Sequence, residues 1–167
     1  SVTKFSADGV KLKLTEEVVE EIVGSAITKF RKTGGSISIQ VHKPQDILLV
    51  PMEATLIEQV LINLLENAFV HSGSRDPIDL IIQDIDDSII FTVRDYGNGV
   101  DEGQLPYIFE GQRSTSPAAD GHKGIGIGLS ICKTIIRAHG GTITASNHTD
   151  GAEFTFTLPK EKENNNV

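Results

Sequence analysis

The 167-residue chain holds a single cysteine, Cys132, carries a deficit of positive charge and lacks any long apolar run. One cysteine excludes an intramolecular disulfide and suits a reducing compartment. Fifteen Lys and Arg stand against 23 Asp and Glu, a formal net charge of −8. That balance argues against nucleic acid or an acidic membrane surface as a partner. An anionic ligand would therefore need local cations and backbone dipoles. No apolar stretch approaches the roughly 18 residues of a membrane-spanning helix. No signal-peptide pattern opens the sequence, and Ser1 follows no initiator Met, so an excised fragment is expected. Hydrophobic content of 38% and charged content of 23% are those of a soluble globular domain.

Apolar periodicity reads as β-α-β-β-α-β-β, a long connection, then α-β-β. Residues 1–9 read as the end of an upstream linker. Val10, Leu12 and Leu14 alternate with lysines as a strand. Thr15 stands where it would cap a helix bearing Val18, Ile22, Ala26 and Phe30 on one face. Alternation marks strands near 36–42 and 47–50, and a second helix is expected over about 54–71. Ile78, Leu80 and Ile82, then Ile89, Phe91 and Val93, read as a hairpin. The Gly-, Ser- and Pro-rich connection at about 97–123 has the length of a functional lid or a disordered loop, with one short helical stretch around 102–109. A third helix is expected over 129–138 and a last hairpin turning at 147–151. Residues 160–167 read as a disordered tail. Hairpins outnumber βαβ crossovers, so the expected class is α+β. It is a two-layer sandwich over residues 10–159, whose mixed, mostly antiparallel sheet is covered on one face by three helices.

Three stretches carry chemistry. In His122-Lys123-Gly124-Ile125-Gly126-Ile127-Gly128-Leu129, three alternate glycines open onto a helix. Glycine lets backbone approach a ligand, and free N–H groups with the helix dipole suit phosphate, with Lys123 adding charge. A merely flexible helix entry is the plainer reading. Asn63 and Asn67, four apart on the second helix, share a face and go against helix propensity. Either they are surface asparagines at the edge of the buried stripe, or their amide oxygens help hold Mg²⁺ among phosphate oxygens. His71 lies one turn on, placed to reach a phosphate or ribose, or to cap the helix. Alternation also carries Asp95 to the side of Ile89, Phe91 and Val93. A buried carboxylate needs a partner: the turn amides two residues on, or a ligand donor such as a purine amine. Gly97 and Gly99 would let a flat ring approach.

Together these stretches resemble the ATP-binding catalytic domain of sensor histidine kinases, which has the Bergerat fold. Asn63-Leu64-Leu65-Glu66-Asn67-Ala68 is similar to that family's N box, Asp95-Tyr96-Gly97-Asn98-Gly99 to its first glycine box, and Gly124-Ile125-Gly126-Ile127-Gly128-Leu129 to its second. Tyr107-Ile108-Phe109-Glu110 with Arg113 resembles its F box. The stretch around the N box is most like the potassium-responsive Kdp sensor kinases. The resemblance implies ATP and Mg²⁺ as cofactors. Asn67 would ligate the metal with Asn63 beside it, and Asp95 would accept from the adenine amine. Gly97 and Gly99 would shape the adenine pocket. Gly124, Gly126, Gly128 and Leu129 would present amides to the phosphates. Arg113 and Lys123 would face the γ-phosphoryl, unless Arg113 is a solvated loop charge.

Two positions depart from the family's pattern: Val70 stands where a Lys is common, and Gln112 where a second aromatic is. Hydrolytic relatives carry Glu at the position of Asn63, so the resemblance favours transfer to a protein histidine over hydrolysis. None of His42, His71, His122, His139 and His148 precedes an acidic residue, as the acceptor would. The acceptor is then expected on a separate dimerisation domain of the same protein, with a response regulator downstream. The fragment itself is expected to be monomeric, on the cytoplasmic side of a membrane-anchored protein. A degenerate nucleotide-binding or interaction module, or an ATPase of the same superfamily, is the alternative.

Overall fold

Period-two runs pair into strands and period-3.6 runs into helices largely where the pattern puts them. The computed structural model describes residues 2–5, 11–111 and 123–161, with the backbone alone for 2–5, 11 and 123–127. In chain order the elements are β1 (Val2–Phe5), β2 (Lys11–Val18), α1 (Val19–Lys32), β3 (Ile39–His42), β4 (Leu49–Met52), α2 (Ala54–His71), β5 (Ile78–Ile85), β6 (Ser88–Arg94), a 3-10 turn (Leu105–Tyr107), α3 (Lys123–Ala138), β7 (Ile143–His148) and β8 (Gly151–Pro159). Five strands form a sheet in the order β3-β5-β6-β8-β7. Only β3 and β5 run parallel; the other neighbours are antiparallel.

The helices cover one face of this sheet, and the core lies between the layers. Phe91, Phe154 and Phe156 from the sheet are buried against Leu61, Leu64 and Leu65 of α2. Phe91 stacks on Phe156 with ring centroids 4.6 Å apart. On the other face the strands present hydroxyls, with Thr92 Oγ1 3.1 Å from Thr155 Oγ1. Phe30 of α1 meets Phe69 of α2 edge-on. His139 joins the ends of α3 and α2: Nδ1 lies 2.8 Å from the Ile135 carbonyl, and Nε2 accepts from the Glu53 N–H at 3.0 Å. The Glu53 carboxylate in turn caps α2 by accepting from the Leu56 N–H.

Three expectations are corrected. Residues 2–5, expected within a linker, form β1, which joins β2 and β4 in a small antiparallel sheet. Thr15 does not cap α1. Thr15, Glu16 and Glu17 continue β2 opposite Met52, Pro51 and Val50, and the helix begins at Val19 with no side-chain cap. Strand pairing there outweighs the local capping signal. The third helix starts at Lys123, six residues ahead of the expected boundary, so the glycine run lies inside α3.

Candidate functional site

The inward column of the sheet changes character at one end. Phe91, Phe156 and Ile143 form one apolar rung across β6, β8 and β7, and Val93, Phe154 and Ala145 form the next. The following rung is Asp95, Ala152 and Asn147: a carboxylate and an amide flanking a methyl. Polar groups at core-facing positions mark where packing gives way to a site.

Asp95 is buried and fixed by backbone. Its N–H donates to the Ala152 carbonyl at 2.9 Å, and its Oδ1 accepts from the Gly97 and Ala152 N–H groups, each at 3.1 Å. The turn reading of Asp95 thus accounts for one of its two oxygens. Oδ2 has no hydrogen-bond partner among the described residues. An acceptor-only oxygen at the rim of the core suits a donor such as an exocyclic amine.

The loop after Asp95 is tied to α2. Asn98 N–H donates to the Ser72 carbonyl at 2.8 Å. A Cβ on Gly97 would stand 1.9 Å from that same oxygen, so only glycine permits the approach. The loop is therefore welded to the helix that bears Asn63, Asn67 and His71.

Asn63 and Asn67 are both half-buried, but their surroundings differ. Asn63 Oδ1 accepts from Gln59 Nε2 at 2.7 Å, and its Nδ2 donates to the Gly128 carbonyl at 3.3 Å. It binds the glycine segment of α3. Beneath it lies Cys132, whose thiol burial pushes up to about 12, with Asn63 opposing the rise. Asn67 makes no side-chain hydrogen bond among the described residues, which leaves its amide oxygen available. His71 is half-buried in the last turn of α2, and Val70 is 61% exposed.

Lys123, Gly124 and Gly126 lie in the first turn of α3, and Gly128 and Leu129 in the second. Amides of the first turn have no partner within the helix, whereas those of the second donate four residues back. Leu129 is buried in the core. Arg113 and Gln112 lie outside the described residues. The described part of the expected lid is anchored: Val100, Ile108 and Phe109 pack on the core, and Phe109 meets Phe154 edge-on at 6.2 Å.

Two residues not expected from sequence complete the site. Asn147 clamps Val100, and His148 Nε2 lies 2.7 Å from the Asp95 carbonyl. The parity that exposed Asp95 also marks Asn147, which follows Ile143 and Ala145 on the inward side of β7. On the outer face, burial pushes the Asp79 carboxyl up, but the Tyr96 hydroxyl and His42 outweigh it and hold it below its usual range. A cavity of about 710 Å³ borders Tyr96, Gly97, Gly99, Asn147 and His148 but is not lined by Asn63, Asn67 or Asp95.

Residues 52–162 match the family described as histidine kinase-, DNA gyrase B- and HSP90-like ATPase, more than half of the chain. The chain belongs to this ATPase family. Among curated relatives of this family, the sensor protein KdpD of Clostridium acetobutylicum is 40% identical over 163 residues, covering 96% of this chain and 18% of that protein. The Escherichia coli sensor protein KdpD is 36% identical, with the same two coverages of 96% and 18%. The chain thus spans under one fifth of these relatives. Among solved structures, the catalytic domain of the histidine kinase ThkA superposes with a TM-score of 0.76 at 29% identity, covering 89% of this chain and 97% of that one. The ThkA catalytic domain shares the α+β sandwich of this chain.

Proposed function

We propose that this domain binds Mg-ATP at the polar rung and transfers the γ-phosphoryl to a histidine on a separate dimerisation domain of the same full-length protein. Oδ2 of Asp95 carries the reading, as a carboxylate oxygen with no hydrogen-bond partner among the described residues at the base of the Gly97–Gly99 loop. Asn67 fits Mg²⁺, a cation held by one or two protein oxygens together with substrate phosphates. No group of three His, Cys, Asp or Glu that could hold a metal occurs among the described residues, so phosphate oxygens would supply further ligands. Bound there, the metal would neutralise charge between phosphates. Open amides of the first turn of α3, with Lys123 and Arg113, would face the γ-phosphoryl. Asn63 serves as the link to Gly128, and a neutral amide cannot take a proton from water, which favours transfer over hydrolysis.

Related structures support a two-component role: ThkA is solved in complex with the response regulator TrrA, at a TM-score of 0.74 and 28% identity. We infer a response regulator downstream of this protein too. We infer, in keeping with the similarity to KdpD sensor proteins, a domain on the cytoplasmic side of a membrane-anchored protein. Val70, apolar and exposed where a cation is common, motivates a second reading: a module that binds nucleotide without transferring phosphate. Mixing the domain with γ-labelled Mg-ATP and the His-bearing dimerisation domain decides between them. Label on the histidine is expected; bound ATP with no transfer leaves the second reading.

A further inference from the structure

The loop that would carry the purine leaves the sheet at Asp95 and regains it at Val100, and a side chain makes the return. Asn147 Oδ1 accepts from the Val100 N–H at 2.8 Å, and its Nδ2 donates to the Val100 carbonyl at 2.7 Å. One amide thus captures both backbone groups of one residue, as a neighbouring strand would. Asn147 is also backbone-paired with Ala152, whose N–H and carbonyl hold Asp95. Both ends of the loop are therefore moored to the same rung, and Ser72 of the α2 terminus pins its middle. Gly99, between the pinned middle and the clamp, has φ +76, and a Cβ there would meet Asn147 Oδ1 at 2.8 Å. The loop path and the clamp fit one another.

We propose that Asn147 is a positioning residue of the nucleotide site. It touches no nucleotide; it fixes where the chain leaves the purine loop and where the segment toward the F box begins. The proposal rests on the nucleotide reading above. Asn147→Ala removes both bonds. Asn147→Asp keeps the size and the acceptor for Val100 N–H but sets an oxygen against the Val100 carbonyl. Losing the register of the loop is expected to weaken Mg-ATP binding roughly tenfold in both variants, the order of one or two hydrogen bonds. Thr157→Ala is the matched control. It removes the bonds from Thr142 N–H and Oγ1 at the far end of the same hairpin, at 3.0 and 3.2 Å.

The experiment is titration of the domain with Mg-ATP by calorimetry, with melting temperature and amide hydrogen exchange at Val100 measured alongside. The expected result is weaker binding in both Asn147 variants and faster Val100 exchange in Asn147→Ala, which leaves that N–H without its acceptor. Thr157→Ala should lower the melting temperature and leave affinity unchanged. If Asn147→Ala binds within twofold of wild type while Val100 exchanges faster, the positioning role is overturned. An equal loss of affinity in Thr157→Ala overturns it too, since general stability then explains the effect. A wild-type domain that takes up no Mg-ATP overturns the nucleotide reading itself.

Discussion

Asp95 has one oxygen held by backbone and one with no partner among the described residues, so two substitutions separate its structural role from the proposed recognition role. In Asp95→Ala the N–H groups of Gly97 and Ala152 lose their acceptor, and that of Ala152 is buried. Each lost bond costs about 1 kcal/mol and a buried orphan donor about 1–3, giving a destabilisation of roughly 2–4 kcal/mol. For a domain of this size that is a fall in melting temperature of about 10 °C. Asp95→Asn behaves differently. Two N–H donors converge on Oδ1, so an asparagine must place its oxygen there and its NH₂ outward; the flipped amide would set donor against donor. The fold keeps both bonds, and the melting temperature should move by about 2 °C or less. In the proposed complex the outward NH₂ would meet the adenine amine. Loss of a charge-assisted hydrogen bond, about 1.5–3 kcal/mol, predicts ATP binding weaker by roughly tenfold to a hundredfold. The same NH₂ can donate to the guanine keto oxygen, so the preference for ATP over GTP should narrow. Calorimetric titration with both nucleotides, alongside thermal melts, measures this. Unchanged ATP affinity in Asp95→Asn would refute base recognition by Oδ2. A melt as low as that of Asp95→Ala would refute the division between the two oxygens.

Gly97→Ala drives a methyl to within 1.9 Å of the Ser72 carbonyl, a backbone atom that cannot swing aside, so it should destabilise by more than about 3 kcal/mol in denaturant titration. Gly128→Ala meets only ordinary contact, with Asn63 Nδ2 at 3.8 Å, so it should stabilise the start of α3 by about 0.5–1 kcal/mol. If phosphate binding requires those turns to open, the same variant weakens ATP binding several-fold by calorimetry. The depressed carboxyl of Asp79 contributes stability that is present above its unfolded value of about 4 and lost as pH falls through its lower folded value. Tyr96→Phe removes a hydrogen bond that lowers it, so acid unfolding followed by circular dichroism should begin at higher pH. Cys132, fully buried with its thiol pushed up to about 12, should resist alkylation by iodoacetamide at pH 8 until the domain is unfolded.

Helix α2 was legible at both ends because its apolar face is broad and its flanks break the pattern. The hairpin of β5 and β6 and the inward turn of Asp95 follow from period two alone. The small sheet was not legible: Val2, Thr3, Lys4 and Phe5 pair with β2 because of where the chain returns, and nothing in their composition announces it. The start of α1 was misplaced because Thr15, Glu16 and Glu17 carry a capping signal that pairing with β4 overrides. Three glycines hid the start of α3, each costing a helix interior about 1 kcal/mol relative to alanine. Asn147 was missed although its position on β7 carried the same parity signal as Asp95. An amide at a core-facing site draws less notice than a carboxylate, yet both polar groups need partners.

The site joins elements of unequal stiffness. The end proposed for the purine stands on the polar rung, moored to β8 and β7 and to the end of α2, whose Leu61, Leu64 and Leu65 lie fully buried. Asn67 rides on that same helix, so the carboxylate and the amide are held in fixed relation before any ligand arrives. The end proposed for the phosphates stands on the first turns of α3, where three glycines forfeit roughly 3 kcal/mol of helix propensity. Few described contacts compensate: the Asn63 bond to the Gly128 carbonyl and the buried side chain of Leu129. A weak hold is what a phosphate site on this element requires. Amides committed to the helix ladder cannot also serve oxygens, so a segment of good helix formers would lock them away. In the proposed complex, the strongest packing under the base and the weakest helix beside the phosphates would let the base dock on a rigid floor while the triphosphate reorganises its own cradle. The asparagine that links the two, Asn63, sits at the boundary and couples them.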